Sequence, residues 1–162
     1  MIPIPRDFRE FFRLLNKHRV RYLVIGGYAV GYHGYPRYTG DVDIFVAVSP
    51  QNGKAMVKVF SEFGFADDDL TPDFFGDYGQ VIRLGREPMK LEIVNKIDGV
   101  RFSDCYARRV RARFEGLSVN FIAYEDLLKN KRASGRHKDL QDIEVLQSHR
   151  TPKRRSRRQR PL

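Results

Sequence analysis

The segment that most constrains this chain is "VRYLVIGGYAVGYHGYPRYTGDVDIFVAV", residues 20–48. "VRYLVI" is β-branched and nearly all apolar, the pattern of a strand covered on both faces. Gly26-Gly27 closes it, and "YAVGYHG" reads as a short helix despite Gly31. "DVDIFVAV" is a second strand in which Val42, Ile44, Val46 and Val48 alternate. A strand, a glycine turn, a helix and a second strand thus follow within about thirty residues, a strand–helix–strand unit.

Side chains in a strand repeat every two residues, so Asp41 and Asp43 share a face while Val42 and Ile44 point into a core. Two carboxylates that close repel, and one tends to hold a proton unless a cation is present. Mg²⁺ suits such a pair, because it prefers oxygen ligands and is commonly held by one or two carboxylates plus substrate phosphates. Gly26 and Gly27, at a strand end opening a helix, leave backbone N–H groups able to approach an anion. Donors for phosphate on one element and metal ligands on the next describe phosphoryl- or nucleotidyl-transfer chemistry. Taken singly, a glycine pair is ordinary turn geometry and strand-opening aspartates are ordinarily solvated. Their order and spacing carry the reading.

The rest of the chain reads as one α/β or α+β domain, in the order α-β-α-β-α-β-β, then a hairpin and helices. Phe8, Phe11, Phe12 and Leu15 form one helix face, with Asp7 and Glu10 in a capping spacing. "SPQNGKAMVKVFSEFGF" gives a second amphipathic helix through Met56, Val57, Phe60 and Phe63, stopped by Gly64. The loop "ADDDLTPDFFGD" holds five aspartates, readable as a cation site or as solvated loop acids, and Phe74 and Phe75, which could stack a base or anchor the loop in the core. "YGQVIRLG" and "MKLEIV" are short strands, and "RRVRARFEGLSVNFIA" is a hairpin turning at Glu115-Gly116. "YEDLLKNKRAS" and "RHKDLQDIEVLQSH" are helices broken at Gly135, the second with a stripe of Leu140, Ile143 and Leu146. Lys131, Arg136 and Lys138 cluster around that glycine at a helix start, a suitable place for triphosphate oxygens. Arg37 could meet a phosphate or pair with a loop carboxylate. His33, isolated, stays outside the chemistry.

Charge and cysteine content narrow the setting. Of the net charge of +10, six positive charges lie in "TPKRRSRRQRPL", and removing them leaves +4. That segment has few apolar groups to bury and is expected to be unstructured, so the folded domain is expected to span 1–149 and a basic tail 150–162. Such a tail attracts phosphate backbones, or serves only as a solubilising end. The single cysteine, Cys105, and the absence of a signal-like apolar centre in "MIPIPRDFREFF" lead us to expect a cytoplasmic protein. No run reaches the ~20 apolar residues that span a bilayer, so no membrane association is expected.

The Gly-Gly pair, a spacer of thirteen residues and an apolar-flanked Asp-x-Asp resemble the signature of the DNA polymerase beta-type nucleotidyltransferase superfamily. "GGYAVGYHGYPRYTGDVDI" and "NKRASGRHKDLQDIEVL" are similar to the small prokaryotic minimal, AbiEii-like nucleotidyltransferases, over about residues 20–147. The resemblance implies a single nucleotidyltransferase-fold domain, a short mixed sheet flanked by helices with further helices at the C-terminal end. It also implies a third carboxylate on a neighbouring strand, for which Glu92 in "KLEIV" is the candidate. The family more often has Asp there, and Glu92 could instead pair with Lys90 on an exposed strand face. Lys131 and Asp139 are implied to approach the active site, with Asp142 orienting a basic group.

The expected reaction is transfer of a nucleoside monophosphate from an NTP, such as ATP, to an acceptor hydroxyl. Asp41, Asp43 and Glu92 would hold two Mg²⁺ ions, and Gly26, Gly27, Arg37, Lys131, Arg136, Lys138 and Asp139 would attend the nucleotide. The acceptor stays open: the resemblance implies tRNA or another RNA, a cognate protein in a toxin-antitoxin system, or a small molecule, and the basic tail favours RNA. An antitoxin-type enzyme that nucleotidylates its partner protein, and a non-catalytic RNA- or partner-binding protein with this fold, are the competing readings.

Overall fold

Tyr22–Ile25 form strand β1, and all four residues are buried, as an all-apolar run requires. The structure is a computed structural model that describes residues 6–37, 39–65, 67–86 and 89–158, with side chains omitted for Arg86, Met89 and 151–158. Helix α1 (Arg6–Lys17) precedes β1, and helix α2 (Gly26–Tyr32) follows it without a gap. The glycine pair is therefore the first turn of α2 itself, not a separate closing turn. Then come β2 (Asp41–Val46), α3 (Pro50–Phe63), a 3₁₀ turn (Phe74–Gly76), β3 (Val81–Arg86) and β4 (Met89–Val94). Helix α4 (Phe102–Ala107), the hairpin β5 (Val110–Phe114) and β6 (Leu117–Phe121), α5 (Tyr124–Ser134) and α6 (His137–Arg158) complete the order.

The six strands form one mixed sheet in the order β3-β4-β2-β1-β6-β5. β1 runs antiparallel to β2 and parallel to β6, and β2 runs parallel to β4. Residues opposite one another in neighbouring strands share a face. Tyr22 and Val24, opposite Val46 and Ile44, therefore define one face, and Leu23 and Ile25, opposite Phe45 and Asp43, define the other. Phe12 of α1 meets Tyr22 at 5.7 Å, and Phe11 meets Phe60 and Phe63 of α3 at 5.8 and 5.1 Å, so α1 and α3 cover the first face. Phe102 of α4 packs edge-on against Phe45 at 5.1 Å on the face that carries Asp43.

Local signals account for the element ends. The Ser49 hydroxyl accepts from the Asn52 amide at 3.0 Å, Pro50 occupies the first turn of α3, and Gly64 ends it at φ +99°. Phe75 is buried and stacks on Phe60, so the aromatic loop is a core anchor. The five loop aspartates are exposed. His33 Nε2 donates a hydrogen bond to the Ile122 carbonyl oxygen at 2.7 Å, and burial lowers the pKa of His33.

Some expectations need correction. Leu140, expected in a buried stripe with Ile143 and Leu146, is half exposed, whereas Asp139 and Asp142 are buried beside those two, so α6 turns two carboxylates inward. Asp7 lies inside the first turn of α1, and Glu10 pairs with Arg13. Helix α4 has no counterpart in the sequence reading, because six residues are too few to show a helical period. The backbone of α6 continues as helix to Arg158, past the point where irregular chain was expected, in a segment rich in arginine, a good helix former. No helix among the described residues is long and apolar enough to cross a membrane.

Phe11 is fully buried between α1 and α3. Phe11→Ala is expected to lower unfolding free energy by about 3–5 kcal/mol, read by urea denaturation.

Candidate active site

The register of β2 builds the centre of the site. Asp43 lies opposite Ile25 on one side and opposite Glu92 on the other, and Asp41 lies opposite Lys90. Residue 26, next after Ile25, carries no side chain, and the reason is visible in the packing. A Cβ on Gly26 would lie 2.1 Å from Asp43 Oδ2, and the residue has φ +66°. Gly27 is similarly close to Thr39, whose Cβ would lie 2.8 Å from an added methyl. The Thr39 hydroxyl donates to the Asp41 carbonyl oxygen at 3.1 Å, which shapes the entry into β2. The glycine pair and the Asp-x-Asp pair are thus packed together. Helix geometry leaves the first-turn amides of α2 without intrahelical partners.

The carboxylates act on one another. Burial, then the charges of Glu92 and Asp41, push the Asp43 carboxyl up to about 7, against the opposing pull of Lys131 and Lys138. Glu92 is partly exposed, and its carboxylate accepts from Arg83 Nε of β3 at 3.4 Å.

Behind this centre, α5 and α6 carry a chain of ion pairs. Lys131 is buried and donates to Asp139 at 3.1 Å, and its ammonium lies 3.0 Å from Asp142. Asp142 accepts from Arg37 through both oxygens, at 3.1 and 2.9 Å. Asp139 accepts from Arg136 at 2.9 Å. Burial opposes the charge of Asp139, but hydrogen bonds from Arg136, Lys131 and Ser134 outweigh it and hold its carboxyl down to about 2. Lys138 is exposed. Of the sequence-derived candidates, Gly26, Gly27, Asp41, Asp43 and Glu92 meet at the strand ends. Lys131, Arg136 and Lys138 stand within electrostatic reach of Asp43. Arg37 is engaged by a helix carboxylate, Asp142.

Residues 5–158 match the family described as nucleotidyl transferase of unknown function (DUF2204). The chain belongs to this family. No curated protein matches it. Its fold is similar to an antigenic nucleotidyltransferase-like protein from Paracoccidioides brasiliensis, at 16% identity, TM-score 0.52, covering 90% of this chain and 78% of that one. It is also similar to a protein proposed to be a nucleotidyltransferase, from Thermotoga maritima, at 15% identity, TM-score 0.58, covering 90% of this chain and 92% of that one. Superfamily and transferase class follow from the family match, and the two neighbours carry the fold.

The donor chemistry of Asp41 and Asp43 fits a divalent cation. Burial first, and then the charges of Glu92 and Asp41, make Asp43 resist ionisation, and a cation beside it would favour the ionised form. Among the described residues no three His, Cys, Asp or Glu side chains are drawn together as a metal-ligand group, so Asp41 and Asp43 would form the core of the site and Glu92 would have to leave Arg83 to join. The sequence reading missed Arg83, which is visible only once β3 is laid beside β4 in register. Asp142 was read as an orienting residue without its partners; it pairs with two cations, Arg37 and Lys131.

Two outcomes follow from these geometries. Asp142→Ala leaves Arg37 and buried Lys131 short of a partner and is expected to lower unfolding free energy by about 3–5 kcal/mol, measured by urea denaturation. A carboxyl with a raised folded pKa binds more protons folded than unfolded, so stability falls as pH rises from the ordinary aspartate value towards 7. Each pH unit of that window costs the native state up to about 1.4 kcal/mol. In chelator, Asp43→Asn is expected to raise Tm at pH 8 and to leave it near wild type at pH 4.

Proposed function

We propose that this nucleotidyl transferase moves a nucleoside monophosphate from an NTP to an acceptor hydroxyl in a Mg²⁺-dependent reaction. The observation that carries the reading is the contact of the Asp43 carboxylate with the Gly26 backbone, beside Asp41 and in register with Glu92. Asp41 and Asp43, with Glu92 joining, would hold the cation. Bound there, Mg²⁺ would supply Lewis-acid polarisation of phosphoryl oxygens and neutralise the charge of the carboxylates.

The chain's own groups have separate parts. The first-turn amides at Gly26 and Gly27 offer hydrogen bonds to phosphate oxygens, and the missing side chains let the backbone come close. Lys138, exposed, and Arg136, which spares guanidinium N–H groups beyond its bond to Asp139, offer positive charge to the triphosphate. Lys131 acts from behind, as a buried charge that favours the ionised form of Asp43. Asp139 and Asp142 position Lys131, Arg136 and Arg37, and the helices that carry them. In a transfer of this kind most of the catalysis is positioning and electrostatic stabilisation, which suits a site without a nucleophilic side chain.

RNA, tRNA among it, is the acceptor class the basic C-terminal segment favours, since six cations without an acid there attract phosphodiesters. A toxin-antitoxin setting, in which either an RNA or a partner protein receives the nucleotide, is the alternative. The pairing of Glu92 with Arg83 favours a second reading, a binding protein without turnover.

Incubation with Mg²⁺, each labelled NTP, and total tRNA or cell lysate separates these readings. Label is expected on RNA, and label on protein or none identifies the alternatives. Asp43→Asn is expected to lower labelling by at least about a hundredfold, since electrostatic groups of this kind contribute about 10²–10³ to rate. Undiminished labelling in that variant refutes the assignment.

A further inference from the structure

Beyond Phe45, the face of the sheet that carries Asp43 opens into a cleft of about 770 Å³. Its place follows from the register. Phe45 continues the Asp43 face along β2, and Ala47 and Lys96 line the cleft just past the ends of β2 and β4. Phe45 lies about 7 Å along the strand from Asp43, two residues at the usual strand rise.

The lining is cationic and aromatic. Arg21, Lys96 and Arg101 lie along it, all exposed, and no carboxylate is among its described lining residues. Tyr106 lies on Phe102 with ring centroids 5.3 Å apart and planes 22° apart, and the Arg21 guanidinium stands 6.0 Å from the Tyr106 ring. Tyr78 stands at the edge and is 70% exposed.

That exposed tyrosine is held on a built loop. Asn95 is buried and accepts from the Gly79 and Gln80 amides at 2.8 and 3.0 Å, while its own amide donates to the Asp77 carbonyl oxygen at 2.7 Å. These three bonds pin the backbone on both sides of Tyr78 to the end of β4. A large aromatic ring presented to water on a fixed backbone, above a row of cations, combines the two elements that bind single strands: a stacking platform and charges that follow the phosphates.

We propose that this cleft binds single-stranded nucleic acid, with a base stacked on Tyr78 and phosphates on Arg21, Lys96 and Arg101. Binding stands on the cleft alone; the role of that strand as the acceptor rests on the proposed transfer reaction, whose carboxylate pair, Asp41 and Asp43, lies on the same face.

The test is fluorescence anisotropy of the full chain with a short fluorescein-labelled single-stranded oligoribonucleotide, titrated across a series of salt concentrations. Tyr78→Ala is expected to weaken binding about tenfold, the loss of one stacked base, and Tyr78→Phe to restore it. Lys96→Ala with Arg101→Ala is expected to flatten the slope of log affinity against log salt by about 1.4, at about 0.7 for each cation removed. Asp43→Asn is expected to bind as wild type does, so loss of transfer and loss of strand binding fail separately. Failure of the wild type to bind overturns the proposal; equal affinity and slope in all cleft variants overturns it too and assigns the binding to the C-terminal arginines. Tyr78-dependent binding of polyglutamate without binding of RNA overturns it as well, in favour of an acidic protein partner.

Discussion

The carboxylate of Asp43 occupies the space that a side chain on residue 26 would fill. That contact ties two strands and a helix together. Asp43 can lie against the backbone only if β1 ends at Ile25, if α2 turns away at once, and if β2 runs antiparallel in the register that sets Asp43 beside Ile25. A one-residue slip of β2 would turn Asp41 and Asp43 towards α1 and α3 and bring Val42 and Ile44 to the site. The buried Val42, Ile44 and Val46 therefore enforce the orientation of the acids by hydrophobic burial alone.

Crowding acids at this point has an electrostatic consequence, and the other helices answer it. Asp43 is buried and sits among like charges, and its pKa rises for both reasons, burial first. Lys131 and Lys138 oppose the rise from the α5–α6 side. Lys131 is itself buried and would be unstable alone, so Asp139 and Asp142 flank it, with Arg136 and Arg37 closing the two ends. The alternation of charge along this chain of groups lets α6 turn carboxylates inward where a leucine stripe would be the simpler choice. Breaking one partner leaves its neighbour desolvated, which is why such networks hold helices in fixed positions as well as charges.

Much of the site was legible before the fold was known. The apolar runs, the glycine pair, the Asp-x-Asp spacing and the cap at Ser49 are local signals, and each depends on a period or a turn preference that neighbouring residues express. Leu140 shows the limit of that reasoning. Its spacing with Ile143 and Leu146 suggested a buried stripe, but burial depends on what α6 packs against. The partners of Asp142 and of Glu92 were hidden for the same reason, since Arg37 and Arg83 reach them through tertiary and cross-strand contacts. Helix α4 was missed because it is too short to carry a period, and yet it supplies Phe102 and Tyr106 to the cleft beyond Phe45.

By itself the sequence determined which strand faces are apolar, where the backbone must dispense with side chains, and that two carboxylates emerge together from one strand. These follow from the two-residue repeat of a strand and the freedom of glycine, both properties of a few consecutive residues. Only the tertiary structure decided that Glu92 stands beside Asp43, that Lys131 is buried between two acids, and that Tyr78 is held above a cationic cleft. Those depend on the pairing of β2 with β4 and on the packing of α5 against α6, where residues far apart in the chain meet and the energy of one charge is set by the others around it.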